Sequence, residues 1–294
     1  MAAASVIGIA GLGLMGSALA ARLAAAGHSV LGFDTNPLRG ALLDAARPGR
    51  SRASLARLAS DSDCLVVAVF DDAQLRAVTA ALIAAPVRRV SLVICITTAL
   101  PATLITCGNQ CTGAGIAFVE APISGSSATI AAAEGRMFVG GSPADIDRAT
   151  PILEAITPHR KLIGALGQAS AAKLATNLVV GLNRLALAEG MALAESLGIE
   201  RARYLDLLLD SAATSRAAQE KGPMMVAEHF EPPVATIAQH AKDVGLMLEL
   251  GRQTGQPLPM SELHRDLLQQ SMARGDTSLD NAAIIRTLCA LRQT

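Results

Sequence analysis

At 294 residues the chain exceeds the usual size of one domain, so two domains are expected. Its 25 Lys and Arg balance 25 Asp and Glu, which excludes the long-range positive field of a nucleic-acid or anionic-membrane binder. An aromatic content of 2% beside 51% hydrophobic residues excludes base-stacking platforms and leaves a core of Ala, Leu, Ile and Val.

No apolar run reaches the roughly 18 residues that a membrane span needs, and no basic segment precedes the first apolar run after Met1–Ala4. A soluble, cytoplasmic protein with neither a nucleic-acid nor a membrane partner is therefore expected. The cysteines (Cys64, Cys95, Cys107, Cys111 and Cys289) form no CxxC pair and have no His-rich company, which points to reduced thiols and no metal site. Cys107 and Cys111 share a helical spacing but read as small semi-buried residues.

In chain order, Val6–Ala10 reads as a strand and runs into Gly11-Leu12-Gly13-Leu14-Met15-Gly16, followed by a helix to Ala26 that Gly27 closes. GxGxxG alone is weak; between a strand and a helix it becomes a dinucleotide-binding signature. Gly11 allows the tight turn, Gly13 the approach of a pyrophosphate to backbone, and Gly16 the packing of helix on strand. The helix N-terminus then offers its unpaired N–H groups to the anion. The next strand, Ser29 to Asp34, ends in an acid 18 residues beyond Gly16. A carboxylate there accepts from ribose hydroxyls and repels a 2′-phosphate, so NAD is the expected cofactor. Thr35-Asn36-Pro37 lacks the Arg that usually cradles that phosphate, and NADP is kept as the second choice.

Further β-rich runs follow at 64–69, 92–96, 117–120 and 137–140, separated by Ala/Leu-rich stretches of helical length. Near-continuous apolar strands alternating with helices predict a parallel sheet covered on both faces, a doubly wound α/β domain. After Gly164 the strand-like runs stop, and Ser170–Leu197 reads as one long helix of about 28 residues, near 42 Å, ended by Gly198. Residues 1–166 are thus expected to form a Rossmann-like dinucleotide-binding domain. Residues 167–294 should form an all-helical domain for substrate binding and oligomerisation, with the long helix between the two. That helix is apolar on nearly every face, which predicts burial against other helices or a partner subunit and a homodimer or homotetramer.

Four separated motifs give the chain a resemblance to the β-hydroxyacid dehydrogenase family, which includes 3-hydroxyisobutyrate dehydrogenases and tartronate semialdehyde reductases. They are GLGLMGSALAARLAAAGHSVLGFDTNP (11–37), Glu120-Ala121-Pro122-Ile123-Ser124-Gly125-Ser126, the stretch Gly164 to Asn177, and Lys242-Asp243-Val244-Gly245. The resemblance runs almost end to end. It implies Rossmann-plus-helical architecture and hydride exchange between NAD(H) and a small 3-hydroxy acid. It also implies that Ser124, Gly125 and Ser126 hold the substrate carboxylate, that Lys173 is the catalytic residue, and that Lys242, Thr98, Val69 and Phe70 border the cofactor.

The chemistry agrees. Oxidising an alcohol with NAD takes a hydride from carbon and a proton from oxygen, so a group that accepts and returns that proton is required. Lys titrates at about 10.4 when exposed, and desolvation in an apolar helix lowers that value toward the working pH. Asn177, four residues on, shares a helix face with Lys173 and can hydrogen-bond substrate oxygen. A lone helix lysine would read as a snorkelling side chain; Asn177 and the other motifs reverse that reading. Two departures touch the cofactor wall: Cys95 replaces the family's usual Asp, and Phe70-Asp71 a common Leu-Pro. The segment from Glu231 to His240 lacks an Arg found in some aldehyde-acid reductases, and His240 reads as structural. Two other readings are an imine reductase, which usually replaces the catalytic lysine, and a silent dinucleotide-binding scaffold, which would have no need of Lys173, Asn177 and Ser124 together.

Overall fold

The computed structural model describes residues 5–293; Met1–Ala4, expected to lead directly into the first strand, and Thr294 lie outside the described residues. The chain divides into two compact units, Met1–Lys173 and Leu174–Thr294.

In the first unit β1 (Val6–Ala10), β2 (Ser29–Phe33), β3 (Cys64–Val67), β4 (Leu92–Cys95), β5 (Ala117–Glu120), β6 (Ile123–Ser124), β7 (Arg136–Gly140) and β8 (Arg160–Gly164) form one sheet. Its order is β2-β1-β3-β4-β5-β7-β6, with β8 also on β7. The strands from β2 to β5 are parallel, β7 runs antiparallel to β5, and β8 runs parallel to β7. The helices are α1 (Leu14–Ala25), α2 (Pro37–Ala46), α3 (Leu55–Asp61), α4 (Asp72–Ile83), α5 (Pro101–Gly113), α6 (Ser127–Ala131) and α7 (Pro143–Ile156). Alternate residues of one strand enter opposite cores: Val66 and Ile94 pack with Leu19 and Leu23, while Leu65 and Val93 pack with Leu75 and Leu104. This two-sided burial is why the strands read as unbroken apolar runs, each large aliphatic side chain contributing about 1.5–3 kcal/mol.

Two strands escape the apolar-run criterion. β8 carries Arg160 and Lys161 and is half exposed, and β6 is only two residues long inside a Pro/Gly/Ser loop. The strands expected to extend to Asp34, Val69 and Ile96 end one or two residues sooner, where the chain turns into the loops above the sheet.

α8 (Gln168–Ser196) starts in the first unit and continues into the second, which holds α9 (Arg201–Leu209), α10 (Arg216–Ala227), α11 (Ile237–Thr254), α12 (Pro259–Ala273) and α13 (Ile284–Ala290). All named strands lie in the first unit, as expected of an α/β domain followed by a helical one. Gly198 has φ +79°, and the amides of Gly198 and Ile199 donate to the carbonyls of Glu195 and Ala194, closing α8 as a Schellman turn. Leu174, Leu187, Met191, Met225, Ile237, Val244 and Leu268 build the core of the second unit. One face of α8 is exposed in the single chain: Ala175, Val179, Asn183, Ala186 and Leu193, with Val179 at 55% and Leu193 at 62%. No described helix is long and apolar enough to cross a membrane.

Candidate active site

The order β2-β1-β3 places the topological switch at β1, and the carboxyl ends of these parallel strands are where open α/β sheets take ligands. The glycine loop sits there. Gly11 has φ +95°, and a Cβ on it would stand 2.5 Å from the Ala68 carbonyl oxygen; a Cβ on Gly16 would collide with the Gly11 carbonyl. Gly13 caps α1 with no side-chain hydrogen bond, and the first turn of α1 holds no acidic residue. Its amides are therefore left to an anion, and this loop, which includes Leu12, Leu14 and Met15, fits a dinucleotide pyrophosphate.

Asp34 is bound into the same loop. Its Oδ2 accepts from the Leu12 N–H at 2.7 Å and from Arg39 Nη1 at 3.2 Å, and its Oδ1 from the Asn36 N–H at 2.8 Å. Burial raises the Asp34 carboxyl, but the two amides and the Arg39 guanidinium outweigh it and hold the group below its ordinary value. It is an ionised acceptor at neutral pH. Arg39 lies beyond Thr35-Asn36-Pro37 in the sequence, and the first turn of α2 brings it back to Asp34.

Val69 and Phe70 follow the end of β3, and Val69 Cγ1 lies 3.3 Å from where a Cβ on Gly11 would be. The Val69 N–H donates to Thr97 Oγ1 at 3.0 Å, so the residue before Thr98 fixes this wall, a role sequence reading gave no hint of. Phe70 is 46% exposed. Asp71, the departure from the family's Leu-Pro, caps α4 through the Gln74 N–H at 2.8 Å. Cys95, the other departure, is fully buried, and burial pushes its thiol far up, leaving it a neutral core residue.

Ser124 lies in β6 opposite Arg136, and Gly125 follows at φ +143°, a conformation other residues rarely adopt. Ser126 Oγ accepts from the Thr129 N–H at 3.1 Å as the cap of α6. Of the three residues expected at a carboxylate, Ser126 thus has its side chain on a helix cap.

Lys173 is the sixth residue of α8 and is buried at 5% exposure. What fixes the helix beneath it is Glu120, at the end of β5. The fully buried carboxylate accepts from the Ala169 N–H at 3.0 Å and the Ser170 N–H at 3.2 Å, capping the first turn. Burial pushes Glu120 up, and the amides of Ala169, Ser170 and Gly167 offset only part of that. The Ser170 hydroxyl also donates to the Ala99 carbonyl. A Cβ on Gly140 would stand 2.5 Å from Glu120 Oε1 and would displace the carboxylate from the helix entry.

In the second unit Asn177 and Lys242 converge on Asp243. Asn177 Nδ2 donates to Asp243 Oδ2 at 3.3 Å, and Lys242 Nζ forms an ion pair with Oδ1 at 2.8 Å. His240 is buried over Gly181 beside His264, ring centroids 5.0 Å apart. Burial first, then the nearby Arg184, His264 and Lys221 charges, holds it well below its ordinary value. Among the described residues no group of three His, Cys, Asp or Glu is arranged to hold a metal.

The sequence matches two family models: the NAD binding domain of 6-phosphogluconate dehydrogenase over residues 6–167, and the NAD-binding domain of NADP-dependent 3-hydroxyisobutyrate dehydrogenase over residues 167–288. It is 28% identical to 2-hydroxy-3-oxopropionate reductase of Escherichia coli strain K12 over 96% of each chain, and 29% identical to L-threonate dehydrogenase of Cupriavidus necator over 95% of each. The solved structure of Mycobacterium tuberculosis 3-hydroxyisobutyrate dehydrogenase with L-serine superposes with a TM-score of 0.85 at 27% identity, over 97% of this chain and 99% of that one. The chain belongs to the β-hydroxyacid dehydrogenase family and is an NAD(P)-dependent oxidoreductase of CH–OH groups.

Proposed function

We propose that this protein moves a hydride reversibly between NAD(H) and a small 3-hydroxy acid, with Lys173 as the general acid and base at the substrate hydroxyl. Residues 1–166 form the dinucleotide-binding domain, and residues 167–294 the helical domain for substrate binding and oligomerisation. The observation that carries this reading is the buried Lys173 on a helix whose first turn is clamped by Glu120 and Ser170. A lysine so placed is desolvated and carried on an anchored helical turn, which favours proton transfer to a bound hydroxyl.

The nicotinamide ring supplies the hydride acceptor when NAD is bound. Gly11 to Gly16 present backbone to the pyrophosphate, Asp34 accepts from the adenosine ribose, and Val69, Phe70, Thr98 and Lys242 border the cofactor. Ser124 and the Ser124–Ser126 backbone bind the substrate carboxylate, Asn177 orients the hydroxyl, and Lys173 takes its proton as the carbon loses hydride; in reverse Lys173 returns it. The named relatives act on hydroxy or oxo acids, which supports a carboxylate on the substrate. The exposed apolar stripe of α8, including Val179 and Leu193, supports a homodimer or homotetramer.

The test is a panel of 3-hydroxy acids, the matching semialdehydes, their methyl esters and the 2-hydroxy isomers, each followed by NADH absorbance. Turnover confined to free 3-hydroxy acids and semialdehydes is expected. Equal turnover of the esters, or none across the panel, overturns the reading.

A further inference from the structure

The hairpin of β6 and β7 stands beyond the carboxyl end of β5. Gly140 pairs with Glu120, and Arg136 begins the same strand about 13 Å away at about 3.3 Å per residue. At this raised end the register sets Ile123 opposite Met137 and Ser124 opposite Arg136. Ile123 and Met137 belong to the buried core. Side chains alternate along a strand, so Ser124 and Arg136 share the other face, with Cβ atoms about 5 Å apart. β8 continues that face: Phe138 pairs with Lys161, which puts Lys161 on the side of Arg136. Phe138 is half-buried and belongs to neither core of this unit.

The two faces treat their cations differently. On the core side Arg160, the partner of Met137, is held by Glu154 at 2.8 Å. On the other side Arg136 and Lys161 are exposed, and among the described residues no carboxylate is paired with either. Glu134, the acid nearest in sequence, sits in the turn before β7 and reaches neither. In a chain whose charges balance at 25 of each sign, two cations without acids stand beside the serine expected at the substrate carboxylate.

We propose that this face binds a second anionic group of the substrate, so that the preferred substrate is a short hydroxy diacid and Arg136 is the residue that selects it. This rests on the proposed seat of the first carboxylate at Ser124 and deepens it to a substrate class. A hydroxyl and backbone amides bind one carboxylate without formal charge; a monoacid leaves Arg136 and Lys161 with no counter-ion, and a diacid supplies one. The guanidinium fork fits a carboxylate through two parallel N–H bonds, and Lys161 adds a point charge from the next strand. Phe138 offers the carbon chain an apolar surface between them. Arg136 is remote from the reacting carbon, so it contributes alike to the bound substrate and the transition state and acts on KM rather than kcat.

The direct probes are glutarate and pentanoate, a diacid and a monoacid of equal chain length that need no turnover. Their Kd values are measured by titration calorimetry on the full chain with NADH present, at one ionic strength, and again on Arg136→Met, Lys161→Met and Ser124→Ala. The parent chain should bind glutarate more tightly. Arg136→Met should weaken glutarate by about 10- to 100-fold, the loss of a charge-assisted contact, and Lys161→Met by less, while pentanoate barely moves. With a hydroxy diacid as substrate, Arg136→Met should raise KM by the same factor and leave kcat unchanged. Equal binding of glutarate and pentanoate by the parent chain overturns the proposal, as does an Arg136→Met chain in which both ligands weaken alike. Ser124→Ala should weaken both ligands equally; if it weakens neither, the seat of the first carboxylate is refuted, and that failure is separate from loss of the diacid preference.

Discussion

Glu120 in the first unit and Asp280 in the second are both fully buried carboxylates, and they are neutralised by opposite means. Glu120 faces only backbone amides at the start of α8, and burial wins: the group is pushed up. Asp280 faces a full charge. Lys221 Nζ lies 2.8 Å from both oxygens, and the amides of Ala282, Val234 and Ala235 add three donors. Burial raises Asp280 too, but Lys221 and the amides outweigh it and the group is held low. Partial charges on a helix terminus orient a buried acid, whereas a formal charge is needed to ionise it firmly. The first unit therefore uses its buried acid to fix a helix entry, and the second uses an ion pair to pin the segment between α10 and α11.

This contrast orders the expected effects of mutation. Asp280→Ala leaves Lys221 buried without its counter-ion and should cost about 3–5 kcal/mol of stability in a denaturant titration; a loss below that of Glu120→Gln would break the comparison. Glu120→Gln turns one acceptor oxygen into an NH2 facing the Ala169 or Ser170 N–H, and should cost about 1–3 kcal/mol, the desolvation of one orphaned donor.

Acid should act on the second unit first. His240 and His264 are buried as neutral rings, His264 held down to about 4 by burial and by Arg184. Their folded values lie below the unfolded one, near 6.5, so their contribution is whole above about pH 6.5 and is lost as pH falls toward 4. The Asp280 contribution, from a value held low, persists until pH falls below about 4. Thermal unfolding scans from pH 7 to 3 should show that two-stage loss; a flat profile between pH 6.5 and 4 would contradict the buried neutral rings.

The smallest effect sharpens the same point. Arg184 is buried with its Nε and Nη2 lacking hydrogen-bond partners, and burial lowers it to about 10. Arg184→Met removes that desolvated cation, so stability at pH 7 should hold or rise, and the loss between pH 6.5 and 4 should shrink because the imidazoles no longer face a neighbouring charge. A fall in stability comparable with Asp280→Ala would mean that Arg184 is as well compensated as Lys221.

What was legible in the sequence was what is local in the chain. The glycine loop and Asp34 lie within one β-α-β unit, and their spacing reflects contacts made inside it, Leu12 N–H to Asp34 Oδ2 included. The doubly wound pattern was legible because two-sided burial erases polar alternation. β8 was not, because Arg160 and Lys161 of its half-exposed strand interrupt the apolar run. The capping role of Glu120 gave no signal because the amides it caps come 49 and 50 residues later, and that of Thr97 none because its partner Val69 is 28 residues earlier. Arg39 was missed for a different reason: the helix of α2 returns a residue five positions on to the carboxylate that the extended chain would carry it away from. Lys173 stood out only in company, since one buried lysine in an apolar helix reads the same whether it serves chemistry or packing.

The central claim is that Lys173 carries the proton. Lys173→Ala, assayed with saturating NADH and the best semialdehyde of the panel, should lower kcat by roughly 10²- to 10⁴-fold while NADH still binds with nearly unchanged Kd. Unchanged kcat in a folded Lys173→Ala protein would contradict the assignment outright.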